Sequence, residues 1–239
     1  MDRVSNIKPT AASSVWVGLT AGENSRRILI AAFIIGVAVT LAHRPWRQIE
    51  IGDEAIWDYV AQSILRGQVP YRDVVEIKTP GSAYLSAMAI AIARPFALRD
   101  VLAVRVLYTL MVGLISAISF ALAEIYFRDR VAALIAFLIP LASWHFPEWM
   151  AAGTEPKLPM TLFGMLSILL LVRDKPFWAG FCSMLSFICW QPGLLFTGTL
   201  VLVSSNYLTS WRDLRSVKVM LGALVPLVLL VFYFFWVGA

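Results

Sequence analysis

The sequence predicts an all-α, polytopic membrane bundle, and three observations carry that prediction. First, 59% of its 239 residues are hydrophobic and only 15% are charged, with a mean hydropathy of +0.76. Soluble domains sit nearer half apolar and about a quarter charged, and one core would not hide this much apolar surface from water. Second, the apolar residues come in successive runs near 28–43, 82–97, 102–125, 131–147, 158–172, 176–190, 193–208 and 219–238, bounded by charges or prolines. Third, nine residues are Trp, a side chain that settles at membrane–water interfaces.

Taken in order, residues 1–27 are polar, carry Arg3, Lys8, Arg26 and Arg27, and read as a cytoplasmic tail. They lack the form of a cleavable signal peptide, because no small-residue cleavage site follows the first apolar run. The first span is Ile28 to His43, followed by the longest polar stretch, Arg44 to Thr79. Several later runs are shorter than the roughly 20 residues that a helix needs to cross a bilayer. The run 82–97 stands apart. Its apolar core, Ala83 to Ala93, lies between Pro80-Gly81 and Arg94-Pro95, which predicts an interfacial or re-entrant helix.

Loop charges test that reading. If 82–97 does not cross, the short loops 126–130, 173–175 and 209–218 share one side, with Arg128, Arg130, Arg173, Lys175, Arg212, Arg215 and Lys218. The short loops of the other side carry only Lys157. Positive charge concentrates in cytoplasmic loops, so the expectation is seven spans, N-terminus inside and C-terminus outside. The net charge of +5 then reports loop orientation. No basic tract of five or more residues speaks for nucleic acid. Cys182 and Cys189 lie in one apolar segment, which argues against both a disulfide framework and a zinc site.

This topology puts loops 44–97 and 148–157 on the outer face, and most of the chemistry with them. Gly52-Asp53-Glu54 opens a helix, with Asp53 the expected N-cap and Glu54 suited to the first turn. Ile56, Tyr59, Val60 and Ile64 form an apolar stripe, with Asp58, Gln62 and Arg66 elsewhere on the wheel, as in a helix lying on a membrane surface. Gly67 ends it. Beyond capping, a carboxylate at Asp53 or Glu54 can accept a proton from an acceptor hydroxyl. Arg72 and Lys78 anchor to headgroups or clamp a lipid-linked phosphate. Arg105, near the outer end of its span, snorkels or reaches the same phosphate. In the second loop Glu155 sits just before a span, where an ionisable group points to a functional site, although Thr154 or Glu155 also serves as a helix cap. His145 with the nearby glutamates matches no strong metal-binding motif. Glu124 is expected to pair with Arg128.

The ordered set Gly52-Asp53-Glu54, Tyr59, Ala61, Ile64, Gly67, Pro70-Tyr71-Arg72-Asp73 and Lys78-Thr79-Pro80-Gly81 resembles the first outer loop of GT-C glycosyltransferases. It is most similar to family 39, the dolichyl-phosphate-mannose protein mannosyltransferase-like group. Arg105, Gly153-Thr154-Glu155 and, more weakly, Gln191-Pro192-Gly193 resemble later elements of that family. The resemblance runs from about residue 28 to the end. It implies an inverting enzyme that moves a sugar from a polyprenyl-phosphate carrier to an acceptor on the outer face. Asp53 would be the general base, assisted by Glu54, with Glu155 shaping the sugar or acceptor site. Lys78, Arg72, Tyr71 and Arg105 would bind the carrier phosphate and substrate. Some GT-C enzymes use a divalent metal and others do not; the expectation here is none. The implied partners are a lipid-linked sugar donor and membrane lipids, and the implied location is a bacterial inner membrane.

Two features depart from the family. Thr79 stands where relatives have a first proline, and the sequence ends at Ala239, where relatives continue with further helices. A GT-C-like module over 28–239, incomplete at its C-terminus, is therefore expected, and a non-catalytic or truncated relative is the alternative. A transporter or flippase would place acids and broken helices near the midplane, in repeated halves, and the sequence has neither.

Overall fold

The computed structural model describes residues 23–49, 52–143, 145–205 and 214–239. Most of the expected tail and Arg212 lie outside them. Ten α-helices occur among the described residues, and no strand. They are α1 (Glu23–Ala42), α2 (Asp53–Leu65), α3 (Gly81–Ala93), α4 (Asp100–Phe127), α5 (Arg130–Ala142), α6 (His145–Met150), α7 (Lys157–Val172), α8 (Pro176–Cys189), α9 (Leu194–Ser205) and α10 (Arg215–Val237). Three segments are long and apolar enough to cross a membrane: Arg26–Arg47, Asp100–Phe127 and Arg215–Val237. α5, α7 and α8 are apolar but shorter.

α4 is one hub, with α1, α3, α5 and α7 packed around it; α8 is the other, holding α7, α9 and α10. α4 presents Thr109, Gly113 and Ser116 among its buried residues. Small residues let helix backbones approach where water supplies no hydrophobic drive. The α8–α10 crossing uses this most fully. A Cβ on Gly180 would lie 1.9 Å from the Val219 carbonyl oxygen, and one on Gly222 would lie 1.9 Å from that of Phe177.

Contacts between helix ends fix which ends lie together. The start of α4 meets the second loop through Arg105 and the Ala152 carbonyl. The end of α8 meets the first loop through Gln191 and the Ile77 carbonyl. The end of α10 meets it through Arg72 and the Val237 carbonyl. We call this end the loop face. At the opposite face Asp174, after α7, pairs with Arg215 at the start of α10 at 2.6 Å.

α3 has both ends at the loop face. Ser82 donates to the Cys189 carbonyl at 2.9 Å, Ser86 meets Thr154 at 2.6 Å, and Arg94 beyond its end pairs with Asp100 at 2.9 Å. Its end contacts are thus all made at that face. The run expected over 131–147 is divided in two. α5 contains Pro140 and stops at Ala142, and the chain restarts as α6. Both cysteines are buried and free.

Three local expectations are corrected. The N-cap of α2 is Gly52, at φ 99°, and Asp53 is the first helical residue, with no side-chain cap bond. Only glycine takes that φ without strain. The buried stripe of α2 also differs from the predicted one: Trp57, Asp58, Val60, Ala61 and Ser63 face inward, while Ile56 and Tyr59 are exposed. The helix packs against α3, and that contact accounts for its inner face. At the opposite face no side-chain ion pair joins Glu124 and Arg128. Their link is the helix-ending bond from the Arg128 N–H to the Glu124 carbonyl at 3.0 Å, because Arg128 turns out of the helix at φ 54°.

Candidate active site

The second loop is not a surface loop. Ala151, Gly153, Thr154, Glu155 and Pro156 are all buried, wedged against the helices of the loop face. A buried backbone must find partners, and Asp58 and Arg105 supply them. One Asp58 carboxylate oxygen accepts from the Thr154 N–H at 3.1 Å and from its hydroxyl, which also meets the Ser86 hydroxyl. Arg105 donates from Nε to the Ala152 carbonyl at 2.6 Å and from a terminal nitrogen to the Gln48 carbonyl at 2.7 Å. Gln48 also donates to Glu148 at 2.5 Å. Asp58 and Arg105 are 4% and 7% exposed. Arg105 is thus a staple between the two loops, with its guanidinium directed at protein carbonyls.

Glu155, 5% exposed, follows directly. Its carboxylate accepts from the Lys157 ammonium at 3.2 Å and lies 3.4 Å from the Lys157 N–H. Thr154 therefore serves Asp58, while Glu155 contributes to the start of α7. The Lys157 ammonium also stands 5.7 Å from the centre of the Trp190 ring.

Lys78 reaches the same indole, with its ammonium 5.5 Å from the ring centre. Its backbone is held from three sides. Glu76 accepts from the Ile77 and Lys78 N–H groups at 2.8 Å each. Tyr71 donates its hydroxyl to the Lys78 carbonyl at 2.5 Å, and Gln191 donates to the Ile77 carbonyl at 3.0 Å. Gly81 explains the approach: a Cβ there would lie 2.6 Å from the Ile188 carbonyl oxygen, so only glycine lets the start of α3 rest on the end of α8. The Lys-Thr-Pro-Gly element thereby carries Lys78 to Trp190.

Tyr71 and Arg72 look toward α10. Tyr71, at φ 71°, packs its ring 5.3 Å from that of Phe234; burial, then the charge of Glu76, pushes its hydroxyl up to about 12. Arg72 makes a two-pronged bond to Asp73, at 3.0 and 2.8 Å, and donates to the Val237 carbonyl. That guanidinium, with the Val69 N–H, holds the Asp73 carboxyl down at about 2.

Asp53 is exposed and Glu54 half-buried. Glu54 lies four residues before Asp58, on nearly the same helix face, whereas Asp53 is rotated from Asp58 by about 140° at 3.6 residues per turn. Of the two acids, Glu54 has the bearing of the face that meets the second loop.

Comparison with protein-family models, curated proteins and solved structures yields no match.

The site therefore stands on its own geometry. The structure brings Lys78 together with Glu155, through Lys157 and Trp190. It places Arg105 and Arg72 in contacts internal to the protein. Among the described residues no group of three or more His, Cys, Asp and Glu side chains is placed to hold a metal ion; the side chain of His145 lies outside them. Sequence reasoning missed Asp58, Lys157 and Trp190. Asp58 was assigned to the polar side of an amphipathic helix, and Lys157 was read only as a loop charge. The available signals were weak: the Glu155-x-Lys157 spacing, and a Trp immediately before Gln191-Pro192-Gly193.

Proposed function

We propose that this chain is a membrane glycosyltransferase of the GT-C type, transferring a sugar from a polyprenyl-phosphate carrier at the loop face. Seven helices, α1, α4, α5, α7, α8, α9 and α10, cross the bilayer, and the loop face is the outer, periplasmic side of a bacterial inner membrane. The observation that carries the reading is the convergence of Lys78 and Lys157 on Trp190, beside the buried Glu155. Both ammonium groups stand near one ring, at 5.5 and 5.7 Å from its centre, and an anionic phosphate bound beside that ring is attracted by both. Cations so placed stabilise the phosphate as it leaves. The indole face is an apolar platform for a sugar ring. The first-loop acid takes or orients the acceptor proton. The resemblance gives that role to Asp53, and the helix geometry favours Glu54.

The test is sugar transfer from a radiolabelled polyprenyl-phosphate sugar, in membranes containing the chain, across several carriers and acceptors. Lys78→Gln and Lys157→Gln should each lower transfer on the order of 100-fold, the effect of losing one charge-stabilising group. Comparing Asp53→Asn with Glu54→Gln assigns the base, because loss of a general base costs about 100- to 10,000-fold. Wild-type transfer that survives both lysine substitutions would remove this cluster from catalysis. No transfer by wild type from any carrier would leave a non-catalytic relative.

A further inference from the structure

A second feature opens at the opposite face, runs toward the loop face along α4, and is independent of the sugar-transfer reading. α5 and α7 both pack on α4 but diverge from each other, leaving a groove of about 970 Å³ floored by α4. From Ile115 to Arg128 its floor runs about 20 Å at 1.5 Å per residue. That exceeds one leaflet's half of a roughly 30 Å hydrocarbon core. The walls are apolar, with Leu122, Ile139, Met165 and Ile168 among them. Two of its hydroxyls are already used: Ser119 donates to the Ile115 carbonyl at 2.9 Å and Thr161 to that of Lys157 at 2.8 Å. The groove thus offers its occupant dispersion contacts and few polar ones.

Its opposite-face mouth is different. Arg128 lines it, beside Tyr126 and Phe127, which are 83% and 62% exposed. Such aromatic side chains belong at the headgroup level. Arg130 and Arg173 lie within two residues of the lining and are exposed. The nearby acids, Glu124, Asp129 and Asp174, form no ion pair with Arg128 among the described residues. Asp129 caps α5, accepting from Val131 and Ala132. Asp174 pairs with Arg215. A transmembrane helix is the wrong occupant. Helix crossings in this chain use glycine against backbone, as at Gly180 and Gly222, whereas this groove is walled by bulky side chains.

We propose that the groove holds one anionic phospholipid from the opposite-face leaflet, with its phosphate at Arg128 and its acyl chains between α5 and α7. The groove is long enough for one leaflet's acyl chain, and the cationic, aromatic mouth selects a net negative headgroup over a zwitterionic one.

The experiment is native mass spectrometry of the full, delipidated chain in detergent, titrated with dioleoyl-phosphatidylglycerol or dioleoyl-phosphatidylcholine. One phosphatidylglycerol should bind at least tenfold more tightly than phosphatidylcholine. Arg128→Gln should reduce that preference to within twofold, and Arg128→Lys should restore most of it. Ile139→Trp, at a position 65% exposed, fills the groove without entering the core and should remove the retained lipid of either kind. Helicity by circular dichroism confirms that each variant is folded. Equal retention of both lipids, retention unchanged by Arg128→Gln and Ile139→Trp, binding only at micellar lipid excess, or a dimer that excludes lipid would each overturn the proposal. Sugar transfer has no part in the readout, so its absence would leave this result standing.

Discussion

The first loop is fastened at both of its halves, in two different ways. The half containing α2 is tied to the second loop by buried polar groups: Asp58 to Thr154, and Arg105 to Gln48 and Ala152. The half from Tyr71 to Tyr84 is tied to the end of α10 by more exposed ones: Tyr71 on Phe234, Arg72 on Val237 and Tyr84 on Tyr233. A buried polar group that loses its partner bears the full cost of desolvation, whereas an exposed one turns to water. The first fastening therefore sets where Glu155 stands. The second sets how closely the loop lies against α10.

The sharpest way to break that contrast is Asp58→Ala. It leaves the Thr154 N–H and hydroxyl buried without their acceptor and should cost about 3 kcal/mol, with about 1–3 kcal/mol expected for each orphaned group. Unfolding in bicelles measures it. Asp58→Asn keeps an acceptor oxygen and should lose less than half as much. An Asp58→Ala loss below that of Tyr84→Phe would reverse the comparison.

Arg105→Met comes next. It keeps the apolar stem and strips the donors from two carbonyls, for a loss of about 2 kcal/mol. Cross-linking between positions 48 and 152 should become less efficient in the same variant. Unchanged cross-linking would show that Arg105 does not join the loops.

Tyr84→Phe should cost about 0.5–1 kcal/mol, the worth of an ordinary hydrogen bond. Its Tyr233 partner lies 2.9 Å away. The smallest effect is pH-dependent. Asp73 has a folded-state value of about 2, below the roughly 3.9 of an unfolded chain. Between those values the unfolded state binds more protons, so the stabilisation is whole above pH about 4 and is lost as pH falls toward 2. The gap in unfolding midpoint between wild type and Asp73→Asn should be constant above pH 4 and close toward pH 2. A gap that persists at pH 2 would deny the Arg72–Asp73 pair this role.

The legible parts of the fold were those that depend on composition and order. Apolar runs gave the helices, and Pro80-Gly81 with Arg94-Pro95 marked off α3. Loop charges argued that α3 does not cross, and its end contacts lie at one face. The buried face of α2 was not legible. Its period allowed more than one stripe, and packing on α3 selected Trp57, Val60 and Ala61. In the candidate site, Glu155 was legible as an ionisable group beside a span, and Lys78 as a headgroup anchor or phosphate clamp. Trp190 was not, because in a sequence with nine Trp one more at a helix end reads as an interface residue.

By itself, then, the sequence determined an all-helical, membrane-type chain whose chemistry gathers at one end, because the hydrophobic effect and the helix period act along the chain. The tertiary structure alone decided which distant groups each charge meets. Arg105, Arg72 and Asp58 went to partners 47 to 165 residues away, and Lys78 met Lys157 at a shared ring. Such meetings depend on where distant backbones cross, and here glycines at 81, 180 and 222 set those distances through atoms they lack.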